Sequence, residues 1–483
     1  MAKDPRDPST TSAAHDIMSA RWRVIDTVLA GTEALRVAGR DFLPQHKHET
    51  NDDYQMRLEI TVLKNQLEIT LDQLAGKPFS EPVQPNDDVP KEMVDGILPD
   101  VDLQGNRLDV FCRQWFRAGL QKGFCPILVE YPKIEQKPDG KPRTLDDDRR
   151  ENLRPYWQII NPGNVIYAFG EMVNGVERLT HVRLKELVKE RDGYTDRLVE
   201  QIRVLEPGKV TLLRKGKVRG GKTQWLKHDE WATGLNYIPM VTFYTAREDV
   251  MLCKPPLLDL AYLNVTHWQS TSDQRNILTY ARFPILALSG GESDGVVIGP
   301  NRLLHSSEKD SKYYFVEHGG TSIEAGRLDL KEIEEAMAAY GSQFLRKQPG
   351  SVTATARALD GAEALSSLQA MALVFQDAVA QALDMTADWM RIQGGVGGTV
   401  HMEVDFGVDE AAQDVKPALE LRKNRDISRQ AIVNLFKERG YLSEDFDADA
   451  DALILSEEMA DLAASMDLDP TGGQNAPQDS PAA

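Results

Sequence analysis

Two stretches of this chain carry residue types at spacings that can do chemistry. Gly216-Lys-Val-Arg-Gly-Gly221-Lys222-Thr223 satisfies the phosphate-loop pattern GxxxxGK[ST]. That pattern holds a nucleotide when a strand delivers the loop and a helix follows, so that backbone amides and a helix N-terminus surround the phosphates. Val210 to Arg214 reads as the strand, but Gln224-Trp-Leu-Lys-His-Asp-Glu-Trp-Ala-Thr-Gly234 is short, aromatic and ends at glycine. No apolar strand ending in Asp follows to hold magnesium. A basic hairpin tip accounts for the same letters, so Lys222 and Thr223 carry only an alternative reading, a nucleotide hydrolase. In the second stretch, Asp447, Asp449, Asp451 and Glu458 fit positions 1, 3, 5 and 12 of a calcium loop. Ala452 stands where the sharp turn needs glycine, and Leu455 replaces an oxygen ligand. An acidic run at a helix N-terminus explains these residues as well.

The remaining candidates are thinner. Asp146-Asp147-Asp148 beside Arg149-Arg150 reads as a solvated loop. The nine histidines are scattered, with only His46 and His48 close together and no HExxH. No Ser or Cys sits in a GxSxG context. The residues assemble no active site, so no enzyme, cofactor or metal is expected.

Composition narrows the class. A chain of 483 residues has room for two to four subdomains. Asp and Glu number 75 against 56 Lys and Arg, a net charge of −19. A protein that clamps phosphates over its whole surface needs the opposite balance. Cys112, Cys125 and Cys253 form no CxxC pair and fit a reducing compartment. The polar N-terminus does not read as a signal peptide, and no apolar run is long enough to span a membrane.

Positioning elements follow from periodicity. Residues 12–38 hold one helical pattern, with Ile17, Trp22, Val24, Ile25, Val28 and Leu29 as burial candidates. A helix over 52–75 would put Leu58, Val62, Asn65, Ile69 and Leu74 near one face, and another over 106–122 ends at Gly123. Pro126 to Pro132 reads as a strand, and 133–154 as a loop. From Pro155 to Val250, short β-type runs separated by Asn-Gly, Asp-Gly and Pro-Gly turns predict a meandering antiparallel sheet. The strand at 400–406 could join it.

Pro255 and Pro256 then open a helix that ends near Phe283-Pro284. A second helix starts at Asp329, with Glu332 completing a capping box. Its residues Leu330, Ile333, Met337, Tyr340 and Phe344 alternate spacings of three and four, one packing seam. A Pro-Gly break follows. From about Arg357 a long helix carries Leu365, Leu368, Ala372, Phe375, Val379, Leu383 and Thr386 on one stripe. Residues 416–440 are helical again, with Ile427, Ile432 and Leu435 beside a basic face, and the acidic end reads as disordered.

The order of these pieces resembles the core of the portal (head-tail connector) proteins of tailed bacteriophages, and within them a branch known only as a domain of unknown function. The carrying residues are Tyr54 to Leu58, Pro126 to Pro132, Pro255 to Asn264, Tyr314 to Glu317 and Thr353 to Ala356, within residues 40–445. The resemblance implies an α+β portal fold. Its parts are a disordered tail (1–11), a wing (12–250; helical 12–132, β 155–250), stem helix 1 (251–283), a clip (284–327) and stem helix 2 (328–346). A tunnel loop (347–356), a wing return of long helix plus strand (357–410), a helical crown (411–460) and a disordered acidic tail (461–483) complete it. It implies a closed ring, typically a homododecamer, at one capsid vertex of a virion assembled in the host cytoplasm. Double-stranded DNA would pass through the channel without sequence specificity, in packaging and ejection. Implied partners are the large terminase, the major capsid or scaffold protein and a head-completion or tail adaptor protein, with no membrane. Lys347, Gln348, Pro349, Gly350, Ser351, Val352, Thr353, Ala354 and Thr355 would form the tunnel loop. Glu334 and Glu335, off the stem seam, are the channel-facing candidates. Besides the hydrolase alternative, another virion structural or scaffold protein remains open.

Overall fold

The computed structural model describes residues 4, 6–133, 144, 147, 150–217, 223–282, 285–290, 312–316, 320–345, 366–392, 394–404, 422, 423, 428–438, 446, 450 and 451. The chain divides into two compact units, Met1–Gly407 and Val408–Ala483. The first opens with α1 (Ala13–Leu29), α2 (Gly31–Ala38), α3 (Asn51–Ile60), α4 (Gln66–Gly76), β1 (Gln84–Pro85), α5 (Lys91–Gly96), α6 (Leu108–Lys122) and β2 (Phe124–Glu130). A β-rich part follows: β3 (Tyr156–Ile159), β4 (Val165–Val173), β5 (Val176–Asp192), β6 (Thr195–Glu206), β7 (Lys209–Lys217), β8 (Thr223–Ala232), β9 (Met240–Tyr244), β10 (Arg247–Asp249) and β11 (Leu252–Cys253). Then come α7 (Leu258–Ala281), β12 (Ile285–Ser289), β13 (Lys312–Val316), α8 (Gly320–Gln343), α9 (Ser367–Met390) and β14 (Val400–His401). The second unit contributes α10 (Arg429–Glu438), where the Ser428 hydroxyl accepts from Ala431 N at 3.1 Å and Ile432 is buried. The architecture is α+β.

The main core forms where α6, β2, β9 and α9 meet. Trp115, Phe116, Trp157, Phe243 and Phe375 are fully buried there. Trp115 and Phe375 pack edge to face at 4.9 Å, and Phe116 stacks on Phe243 at 5.3 Å. Gly119 makes this possible, since a Cβ there would lie 2.3 Å from the Phe243 ring. The expected stripe of the long helix is confirmed from Leu368 to Thr386, every member buried.

The meander is present as a five-stranded antiparallel sheet in the order β4-β5-β6-β7-β8. Near the core its residues are apolar: Val182, Leu184, Leu205 and Val210 are buried. Opposite Leu184, Arg203 bridges Glu130 of β2 at 2.5 Å and Glu186 at 3.0 Å, tying this sheet to β2; farther out, Arg214 reaches Glu190 at 2.7 Å.

Several elements differ from the sequence expectation. The first helix breaks at Ala30, and Gly31 adopts φ +85°. The 52–75 helix is two helices, because Thr61 is extended and the Asn65 side chain caps α4 by accepting from Glu68 N at 3.2 Å. Val62 and Ile69 are consequently exposed, and Leu67 and Leu71 take the buried positions; Ile17, on α1, is exposed too. β14 does not join the meander; it pairs with β1. The second long helix starts at Gly320, nine residues before Asp329, so 320–327 of the expected clip is helical. The third starts at Ser367, where Ser366 is extended and forms a capping box with Gln369; Leu365 lies outside the described residues. Residues 6–11 of the expected loose tail are held: the Arg183 guanidinium donates to Pro8 O at 2.7 Å, and Ser12 N to Ile166 O at 2.9 Å.

Candidate functional site

Two helices of 24 residues each, α7 and α8, form an antiparallel pair. The Tyr340 hydroxyl donates to Pro256 O at 3.1 Å at one end, and Gln274 Nε2 donates to Ile323 O at 3.0 Å near the other. At that far crossing Gly326 leaves room for the Gln274 amide, since a Cβ there would lie 2.1 Å from Gln274 Oε1 and would push that side chain off its bond to Ile323.

The first half of α7 is anchored in the protein. Leu257, Leu258, Leu260 and Ala261 join the main core, and Trp268 is buried with Leu35, Phe42, Leu43, Tyr54 and Leu58. Fully buried Asn264 accepts from Leu67 N at 2.8 Å and donates to Lys64 O at 2.7 Å, closing the entry to α4. Arg57, 1 % exposed, donates to Ser272 Oγ at 3.1 Å and to Glu49 at 2.7 Å, tying the 44–50 loop to α7. Its guanidinium holds the Glu49 carboxyl below the usual carboxylate range.

The expected α8 seam turns inward. Met337 is buried, and Ile333, Tyr340 and Phe344 pack on the main core. Leu330 is half-buried at the edge of a cleft. The two glutamates diverge. Glu334 lies 2.7 Å from Lys64 Nζ and 3.1 Å from His267 Nε2, and these partners, Lys64 first, depress its carboxyl pKa. Glu335 is exposed, 3.5 Å from Lys331 on its own helix.

The Lys64–Glu334 bridge closes one end of the cleft, a cavity of about 670 Å³ bounded by 60–64, α7 and α8. Arg275, Leu278 and Arg282 line its α7 side. Sequence reasoning missed this cleft and the Arg57 network. The signal for the longer α8 was present, since Ile323, Gly326 and Leu330 extend the seam backwards at the same three-four spacing.

Lys347, Gln348, Pro349, Gly350, Ser351, Val352, Thr353, Ala354 and Thr355 lie outside the described residues. Their flanks meet, because Leu368 N donates to Phe344 O at 3.1 Å. The chain thus leaves α8 and returns to α9 at one place. Of the phosphate-loop letters, Lys222 lies outside the described residues, and Thr223 opens β8, paired antiparallel to β7 with Lys217 opposite it. A strand follows where nucleotide binding needs a helix N-terminus, so the hydrolase alternative loses its geometry. Of the calcium-like run, only Ala450 and Asp451 are described, both helical. Among the described residues no group of three His, Cys, Asp or Glu is placed to hold a metal, and no helix is long and apolar enough to cross a membrane.

The described elements define an α+β protein with an antiparallel helix pair followed by a buried central helix. Residues 256–390 match the family described as Domain of unknown function (DUF4055), from the start of α7 to the end of α9. That match bears out the resemblance to the unknown-function branch over its three C-terminal carrying segments, from Pro256 on; Tyr54 to Leu58 and Pro126 to Pro132 lie outside it. Among solved structures, the chain is similar to one in the "Neck of empty GTA particle computed with C6 symmetry", at 11% identity and TM-score 0.35, covering 89% of this chain and 99% of that one. It is also similar to a chain of the "Virion of native gene transfer agent (GTA) particle", at 12% identity and TM-score 0.35, covering 86% and 97%. These likenesses are too low to carry the fold assignment, which rests on the elements above. No curated protein matches the sequence.

Proposed function

We propose that this chain is a tailed-phage portal protein: a closed ring, twelve copies in the simplest case, that conducts double-stranded DNA at the capsid vertex and performs no catalysis. The observation that carries the reading is the projection of the helix pair. Each helix is about 36 Å long, yet α7 beyond Ser272 and α8 before Met337 bury no side chain among those described. Two helices cannot bury their faces alone, so they need copies alongside. A head-to-tail ring supplies them, because each interface joins two different faces and the rotation closes.

In that ring α7 and α8 are the stem, and Leu330, Ile333, Met337, Tyr340 and Phe344 fix α8 to the wing. Lys347 to Thr355 narrow the channel as the tunnel loop with weak, sequence-blind contacts. Glu335 faces the lumen, where a carboxylate repels phosphate and gives DNA no adhesive site. Glu334 instead braces the stem through Lys64 and His267. The β12–β13 hairpin, with Ile285 opposite Val316, belongs to the clip, which meets the large terminase and later the tail adaptor. The crown and wing meet the capsid or scaffold protein. Mass photometry with negative-stain microscopy tests the reading. Annular particles near 650 kDa, twelve copies of 54.0 kDa, are expected. A uniform 54.0 kDa species at every concentration, with and without capsid protein, overturns it.

A further inference from the structure

The cleft beside α7 and the far flank of α8 carry opposite, unpaired charge. Arg275 and Arg282 line the cleft, are exposed, and make no ion pair among the described residues. Arg275 lies on α7 and Arg282 just past its last residue, two turns on and about 10 Å along the axis. Among the described residues, Glu334 is the one carboxylate lining the cleft, and it is engaged by Lys64 and His267. On α8, Leu330 and Glu334 line the cleft. At 3.6 residues per turn, Glu332 falls on the opposite side of the helix, with Asp329 and Ala336 beside it. Asp329 and Glu332 are exposed and likewise make no ion pair among the described residues. The small residues Ala325, Ala336 and Ala339 on this flank are exposed too and permit close approach.

We infer that the cleft of one copy receives the Asp329–Glu332 flank of α8 from the next copy. Resting on the ring reading, this names its stem interface: Arg275 and Arg282 of one subunit against Asp329 and Glu332 of its neighbour. The two surfaces lie on opposite sides of one helix pair, so they cannot satisfy each other within a chain. They can do so head to tail, the arrangement that propagates around a ring. Exposed single pairs contribute little. Here the pairing repeats at every interface, flanks apolar Leu278 and Leu330, and fixes register more than affinity.

The test is charge reversal in the full chain, read by mass photometry, with circular dichroism to confirm folding. Arg275→Glu/Arg282→Glu should raise the concentration for half-assembly by at least about tenfold. Asp329→Arg/Glu332→Arg should do the same, and the fourfold variant carrying both reversals should restore assembly. Retention of normal assembly by either double variant overturns the inference while leaving the ring reading intact. A wild-type chain that never assembles overturns the ring reading and the inference with it. Should the arginine reversal spare assembly but abolish retention of double-stranded DNA, the cleft holds a phosphate backbone and the inference is wrong.

Discussion

Helices α8 and α9 have the same length, 24 residues, and lie next to each other in sequence, yet they are built to opposite ends. α9 buries eleven residues, from Leu368 to Ala387, around the aromatic cluster of the main core. α8 buries one, Met337. Packing within the chain accounts for the buried face of α9, although Leu373 and Val374 of the same helix stay exposed. α8 is held at one end by its seam and along its flank by the Lys64–Glu334–His267 cluster, and its other half is left for something outside the chain. The difference separates the helix that the chain buries within itself from the helix that the proposed ring would bury.

The contrast breaks most sharply at Phe375. Truncating it to alanine should cost about 3–5 kcal/mol in chemical denaturation, since it removes a ring that touches four aromatic neighbours. A loss below about 1 kcal/mol would mean that α9 is not the core helix. Met337→Ala should cost about 2 kcal/mol, the largest loss available on α8. Leu328→Ala, on the exposed half, should leave the monomer's midpoint unchanged. Ser366→Ala should cost about 1 kcal/mol by removing the cap that starts α9.

The smallest effect is one of pH. The Glu334 carboxyl sits below its ordinary 4.5 in the folded protein. Its ion pairs therefore contribute fully above that value and are lost as pH falls through the depressed one. Because the side chain is 38% exposed, solvent screens the gain. Glu334→Gln should lower stability slightly at neutral pH, with the difference from the wild type vanishing as pH falls below about 4.5; a difference that persists in acid would contradict this assignment.

The helical and β regions were legible where one period ran without interruption. The α9 stripe and the five hairpin-linked strands were readable because burial alone sets their patterns. Breaks were not: Thr61 to Asn65 carries no Gly or Pro, and its extended turn is stabilised by Asn264, Thr32 and Arg36 from elsewhere in the chain. The start of α8 was hidden by Asp329 and Glu332, which imitate a capping box inside a continuing helix. Of the candidate site, the seam was readable from spacing. The Glu334 contacts were not, because they join residues 64, 267 and 334, which no local pattern connects.

Cryo-electron microscopy of the purified full-length protein tests the central claim most directly. The account predicts a closed ring in which the α7–α8 pairs wall the central channel and each pair's cleft faces its neighbour's acidic flank. A ring with these pairs on its outer rim, or a chain that forms no ring, would contradict it.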